Sequence, residues 1–354
     1  MERGVAIDFE TYLISATSPT PKAVCLSYYT GSKSGLLIGL DEMEPFLLAL
    51  LKSDLNIIAH NSKFELLVIY HNFPKLRSLL WQSLDAHRWF CTAVAEKLIT
   101  NFRDRHKLKV FALDKVVSYY FHEDISESKH SGDSWRLRYS ELDGVPRERW
   151  PTEAVTYAID DSIWSYKLWE KQRDVVQCSY QVKAEFALNL MGLRGFTVDK
   201  VRVAVLRSEL EAAMLPDYNY LISEGFVERT KTGAFKRSVK ALQARIKEQV
   251  PQYQVTPKGG VAVDTEALKA YYAQTQDPVI QAFLNLTEYT KIMSSYIPTL
   301  EKANPGIRGN YSAALETNRT ACSGSPLYPS LNMQQMPRTV PNVTYDVRAC
   351  FIPH

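Results

Sequence analysis

The stretch Val5-Ala6-Ile7-Asp8-Phe9-Glu10-Thr11 is a short apolar run broken by two carboxylates one residue apart. A run of this length and composition reads as a buried strand. Residues i and i+2 of a strand point to one face, so Asp8 and Glu10 project together. Two like charges held side by side inside a sheet are costly unless a cation neutralises them. A hard divalent ion such as Mg²⁺ or Mn²⁺ is the usual partner of an all-oxygen site. The competing reading is an edge strand with two solvated acids. Whether further acids arrive downstream decides between the two.

Two more strands follow, over 23–29 and 34–39, joined by the turn signal Thr30-Gly31-Ser32, and they predict an antiparallel meander. Residues 41–52 have helical spacing. Asn56-Ile57-Ile58-Ala59-His60-Asn61 reads as a strand running into a polar turn and a helix over 63–72. This alternation is the pattern of an α/β layer with its site at strand ends. It places Asn61 and Glu65 at the mouth of the sheet that holds Asp8. Glu65 is then the third acid, although a first-turn glutamate also serves the helix dipole. His60 reads as a polar residue of the strand end, not a metal ligand. The spacing predicts further helices over 86–98 and 108–120. A polar stretch over 122–151 is expected to be an irregular excursion across the surface. In the helix after Pro151, Tyr157 and Asp161 stand at i, i+4 on one face, with Asp160 rotated away. Trp135, Trp150, Trp164 and Trp169 read as packing residues.

The 354 residues are enough for two or three domains. A composition of 45% hydrophobic and 23% charged residues is that of an ordinary globular protein. With a formal charge of only +3, any nucleic-acid surface must be local. Basic clusters occur at 103–109 and 229–237, although charge runs are commonly solvated faces. Cys25, Cys91, Cys178, Cys322 and Cys350 lie far apart with no CxxC spacing. That argues against zinc and against a disulfide scaffold, and for a reducing compartment. No apolar run approaches ~18 residues, and the N-terminus lacks a signal-peptide core. The expected location is the cytoplasm, with no membrane partner.

Asp8, Glu10, Glu65 and Asp161, with Tyr157 four residues before the last, match what two-metal phosphodiester hydrolysis requires. One ion lowers the pKa of a water to make hydroxide, and the second stabilises the leaving 3′ oxygen, the ions lying ~3.5–4 Å apart. Tyr157 would hold the attacking water by hydrogen bond. A phenol with pKa near ~10 is a poor base but a serviceable orienter.

These residues resemble the motifs of the proofreading 3′–5′ exonuclease domain of family A DNA polymerases, the tyrosine-type DEDD exonucleases. Their D-x-E motif appears as Asp8-Phe9-Glu10. Their N-x-x-x-F/Y-D/E motif appears with shortened spacing as Asn61-Ser62-Lys63-Phe64-Glu65, and Y-x-x-x-D as Tyr157 to Asp161. The resemblance implies an α/β, ribonuclease H-like fold and a Mg²⁺ or Mn²⁺ site built from Asp8, Glu10, Glu65 and Asp161. Glu65 departs from the commoner aspartate by one methylene, which puts strong activity in doubt. Asp85 is a substitute of lower rank.

The resemblance continues. The segment 186–199 looks like the lead-in to the polymerase thumb, 255–268 like the turn at the thumb tip, and 288–297 like the long second thumb helix. The runs 317–323, 331–338 and 347–354 follow the family's T-G-R-x-S-S, N-L-Q-N-x-P-R and I-R-x-x-F-x-P order, with Asn318 and Gln335 replacing the usual Gly and Asn. The implied domains are an exonuclease over 1–178, a mainly helical thumb over 179–304 and an incomplete palm over 305–354. Implied DNA contacts are Asn61 at the 3′ end, Lys231, Lys236 and Arg237 on phosphates, and Arg319, Gln334, Gln335 and Arg338 along the backbone and minor groove, where acceptors are nearly independent of sequence. The polymerase aspartates and the nucleotide-gripping fingers have no counterpart in residues 1–354. The expected arrangement is therefore a split, phage-type polymerase subunit, in the bacterial host cytoplasm if phage-encoded, or else a truncated chain. A second polypeptide would supply palm and fingers. The apolar positions of 305–354, among them Leu315, Leu327, Leu331, Met333, Met336, Val343, Val347, Phe351 and Ile352, are expected to form an exposed patch for that partner. Two other functions compete. A stand-alone RNA-trimming exonuclease would share the acids but has no reason to carry 195–353, and an inactive exonuclease fold could serve as a DNA- and partner-binding scaffold.

Overall fold

The computed structural model describes residues 3–103, 108, 110–126, 134–231, 235–304, 306–313, 320–325, 329–337, 340 and 342–352. The chain divides into two compact units, Met1–Arg194 with Gly309–Tyr328 and Gly195–Arg308 with Pro329–His354. The segment 305–354, read from sequence as one portion of a palm, is thus divided between them.

The first unit is built on a five-stranded sheet of β1 (Gly4–Thr11), β2 (Ala23–Tyr29), β3 (Ser34–Ile38), β4 (Asn56–Ala59) and β5 (Trp89–Cys91), in the order β3-β2-β1-β4-β5. β3, β2 and β1 form the expected antiparallel meander, while β4 and β5 run parallel to β1. β1 is therefore central, which excludes the edge-strand reading. Its residues are nearly all buried, as a strand covered on both faces must be. Gly31 turns β2 into β3 with φ 87°, and the ring of Tyr166 leaves no room there for a Cβ. The surrounding helices are α1 (Leu40–Lys52), α2 (Lys63–Asn72), α3 (Arg77–Asp85), α4 (Thr92–Arg103), α5 (Leu113–Phe121), α6 (Thr152–Gln172) and α7 (Ser179–Arg194). Ile7, Phe9, Leu47, Ile57, Trp89 and Phe186 belong to one continuous core.

Three local expectations need correction. The helix predicted over 86–98 is instead β5 followed by α4. Trp89-Phe90-Cys91 is a fully buried run whose periodicity cannot separate strand from helix, and pairing with β4 satisfies its backbone. The helix predicted over 108–120 starts only at Leu113, after extended backbone at Ala112, where His60 Nε2 takes the Phe111 carbonyl at 2.9 Å. The excursion over 122–151 is not confined to the surface. Among its described residues, short 3₁₀ turns at Trp135–Leu137, Tyr139–Leu142 and Arg147–Arg149 bring Tyr139, Leu142 and Trp150 into a buried cluster with Val24, Cys25 and Tyr157. The basic run at 103–109 lies almost wholly outside the described residues. Late in the chain β10 (Asn310–Ser312) and β11 (Ala321–Ser323) pair within this unit, where the buried Glu185 of α7 accepts from Ser312 Oγ and Ala313 N, each at 3.3 Å.

The second unit is mainly helical. β6 (Phe196–Val198) lies between β12 (Phe351–Ile352) and β9 (Gly306–Ile307). α8 (Lys200–Ser223) leads to a hairpin of β7 (Val227–Arg229) and β8 (Phe235–Arg237), then to α9 (Val239–Gln249), α10 (Thr265–Thr275), α11 (Pro278–Lys291) and α12 (Ile297–Lys302). The turn read at Pro257-Lys258-Gly259-Gly260 is present, closed by Thr256 N donating to Gly260 O at 2.7 Å. The exposed apolar patch expected in 305–354 is not found where the residues are described. Leu331 and Val347 are buried within this unit, and Met333, Met336, Val343 and Phe351 pack against the same cluster. Leu315 and Leu327 lie outside the described residues. Among the described residues no helix is long and apolar enough to cross a membrane.

Candidate metal centre

β1 outruns its parallel neighbour. Ala6 pairs with Ile58 near the end of β4, so Asp8 and Glu10 extend past it, beside the turn that leads into α2. This is the carboxyl end of the parallel strands, where open α/β sheets collect their ligands. On the other side Asp8 pairs with Ser27 and Glu10 with Cys25, after which the register slips. A bulge beside functional side chains re-aims them. Glu10 is 7% exposed. Burial, then Glu10 and Asp8, push the Cys25 thiol well above its ordinary pKa, which leaves it an uncharged core residue.

α6 brings the partner acid. Tyr157 is buried, Asp161 half-buried and Asp160 exposed, as the i, i+4 spacing requires. One carboxylate oxygen from each of Asp8, Glu10 and Asp161 lies within 4.8 Å of the other two. Ligand oxygens at 2.0–2.6 Å from one ion stand up to ~4–5 Å apart, so the cluster has the span of a single divalent site.

Glu65, the third residue of α2, is not in that closest group, yet it belongs to the same electrostatic set. It is 2% exposed, its Oε2 has no hydrogen-bond partner, and burial, followed by the charge of Asp8, holds its carboxyl well above the usual range. A buried carboxylate oxygen without a donor, near further acids, is an arrangement that a divalent cation would satisfy. The all-oxygen donor set fits Mg²⁺ or Mn²⁺ and offers nothing to a soft metal. The turn before Glu65 is held from several sides. Asn61 adopts φ 64°, which Asn tolerates, Phe64 N donates to its carbonyl at 2.9 Å, and Ser62 N donates to Cys91 Sγ at 3.3 Å. His60 Nδ1 meets the Thr92 hydroxyl at 2.8 Å, so both its ring nitrogens are engaged away from the acids. Asp85 is exposed at the end of α3 and pairs with Lys183, which removes it as a substitute ligand.

The Tyr157 phenol is pushed above its ordinary pKa, first by burial and then by Asp161, Glu10 and Asp8, while Arg136 works the other way. It stays protonated and can donate, but it cannot act as a base at neutral pH. Sequence reasoning missed Arg136, the exposed cation nearest this phenol in electrostatic effect, and Tyr139, whose ring centroid lies 6.2 Å from that of Tyr157. The signal available was the density of aromatic residues in 135–150, too high for a solvated loop.

In the second unit Lys231 and Lys236 are exposed at the β7–β8 hairpin, and Arg237 is half-buried with Nη1 donating to Thr287 Oγ1 at 3.4 Å. Gln334 and Gln335 are exposed in a turn. Arg319 and Arg338 lie outside the described residues.

No protein-family profile matches the sequence, and no curated protein matches it. Among solved structures, the POL domain of Pol1 from M. smegmatis, in complex with DNA primer-template and dNTP, is similar with a TM-score of 0.54 at 18% identity. The match covers 96% of this chain and 53% of that one. The fold is similar to that of a DNA polymerase domain. The chain spans about half the length of that structure.

Proposed function

We propose that the first unit is a 3′–5′ exonuclease that hydrolyses DNA with Mg²⁺ or Mn²⁺, and that the second unit is the thumb-like part of a family A polymerase that holds duplex DNA. One observation carries the reading: Asp8, Glu10 and Asp161 converge within 4.8 Å at the carboxyl end of the parallel strands, beside a protonated Tyr157. Asp8, Glu10 and Asp161 would hold the ion, with Glu65 completing the set once it gives up its proton. The bound ion supplies Lewis acidity and a more acidic water. Tyr157 donates a hydrogen bond that orients the attacking water against the terminal phosphodiester and takes no proton itself. Asn61, exposed at the mouth of the sheet, meets the 3′ nucleotide. Lys231, Lys236 and Arg237 contact phosphates, so binding is sequence-tolerant and salt-dependent. Synthesis requires palm and finger groups from outside residues 1–354.

The test is degradation of 5′-labelled single-stranded DNA by the purified chain with Mg²⁺ or Mn²⁺. Shortening from the 3′ end that stops with EDTA is expected. No metal-dependent cleavage with either ion would refute the nuclease. Neutralising Lys231, Lys236 and Arg237 together should lower the salt slope of duplex binding by ~0.9 per lost phosphate contact. An unchanged slope makes the hairpin a solvated face. Primer extension by residues 1–354 alone would refute the need for groups outside them.

A further inference from the structure

Tyr139 stands in the polar stretch between α5 and α6, yet it is completely buried. Its hydroxyl donates to the Ala154 carbonyl oxygen at 2.7 Å, and its ring lies 6.2 Å from Tyr157 at an interplanar angle of 51°. The Trp150 ring centroid lies 6.3 Å from that of Tyr139, and Trp150 is itself fixed by Nε1 donating to Val145 O at 2.9 Å. The position of Ala154 gives the contact its meaning. Ala154, Tyr157, Ala158 and Asp161 follow one another at i, i+3, i+4 and i+7, which is a single helical stripe. Tyr139 therefore grips the first turn of the stripe that presents Tyr157 and Asp161.

That grip adds to the burial of Ala154 and Ala158 in the same cluster, at a helix start that lacks a local hold. Pro151 occupies its cap position, and no side chain caps the helix. An uncapped first turn frays readily. A rotation of that turn would swing Tyr157 directly and Asp161 one turn later. The acids also sense Tyr139. After burial, Glu10 is the largest influence holding its phenol above the ordinary pKa, with Cys25, Tyr157 and Asp8 behind it. Tyr139 is thus a neighbour of Glu10, Asp8 and Tyr157 and not of α6 alone.

We propose that Tyr139 is a positioning residue of the nuclease centre, setting the rotation of the first turns of α6 and the ring of Tyr157 so that Tyr157 and Asp161 face Asp8 and Glu10. The inference rests on the nuclease reading. It assigns Tyr139 no contact with substrate.

A double-mutant cycle with Tyr139→Phe and Tyr157→Phe tests it, measuring single-stranded DNA hydrolysis with Mg²⁺ well below each variant's melting temperature. Tyr139→Phe keeps the ring and removes only the hydroxyl. The expected result is a fall in kcat of about tenfold, on the scale of one net hydrogen bond, with KM unchanged. In the Tyr157→Phe background the same change should cost clearly less, because one of the two groups it positions has lost its hydroxyl and only the placement of Asp161 is left to disturb. An equal loss in both backgrounds, a rise in KM alone, or no loss in the wild-type background would each overturn the inference while leaving the nuclease reading intact. A wild-type chain without activity removes the nuclease reading, and this inference with it.

Discussion

In the second unit Asp199, Asp264 and Asp277 cap α8, α10 and α11, each accepting backbone N–H bonds at 2.9–3.1 Å, and Asp277 also takes Arg245 Nε at 2.9 Å. In the first unit Asp8, Glu10 and Asp161 crowd within 4.8 Å, and the buried Glu65 keeps one oxygen without a donor. None of α1, α2, α3, α5 and α6 has a side-chain cap. Carboxylates serve as local caps in one unit and crowd together in the other. Acids that cap their own helices act as scaffold, whereas buried, crowded acids are candidates for chemistry.

The sharpest way to break this contrast is to remove the crowded pair. Asp8→Ala with Glu10→Ala should abolish metal-dependent nuclease activity while thermal unfolding of the metal-free chain stays near wild type or improves, because a repulsive pair has gone. Activity that survives would move the chemistry elsewhere. Next in size, Tyr157→Phe should lower kcat on the order of 10²–10⁴-fold, the range of a positioned acid–base group. An unchanged rate would make Tyr157 a packing residue only.

The converse experiment lies in the second unit. Asp277→Ala removes a helix cap and the partner of Arg245 together, and should cost about 2 kcal/mol or more of stability in denaturant titration without lowering nuclease kcat in protein that remains folded. A large loss of kcat would end the division between scaffold acids and site acids.

The smallest effect concerns pH. The folded Glu65 carboxyl is held well above its ordinary value of 4.5. The metal-free folded chain therefore keeps a proton that the unfolded chain has already lost. This contribution is fully present below the unfolded pKa and disappears as pH rises through the folded one. Thermal melts in EDTA should show the wild type losing more stability than Glu65→Gln, which has no proton to lose, as pH rises above the ordinary carboxylate range. Equal slopes would mean that Glu65 is not the buried acid that distinguishes the first unit.

Much of this is legible in the chain. Asp8 and Glu10 share a face because strand geometry repeats every two residues, and Tyr157 and Asp161 share one because a helix repeats every 3.6. The caps at Asp199, Asp264 and Asp277 are equally local, each aspartate bonding N–H groups two or three residues ahead. Other features needed the folded chain. Trp89-Phe90-Cys91 became a strand only because β4 offered it an edge, and Tyr139 left a polar stretch for the core because α6 offered a carbonyl and an aromatic ring. Leu331 and Val347 looked like a surface awaiting a partner until the second unit was seen to bury them. The approach of Asp161 to Asp8, across about 150 residues of sequence, is of the same kind. The physical reason is one of range. Backbone periodicity decides which side chains lie on a common face and is set by neighbours in sequence, whereas which faces meet is decided by the burial of apolar surface between segments far apart in the chain.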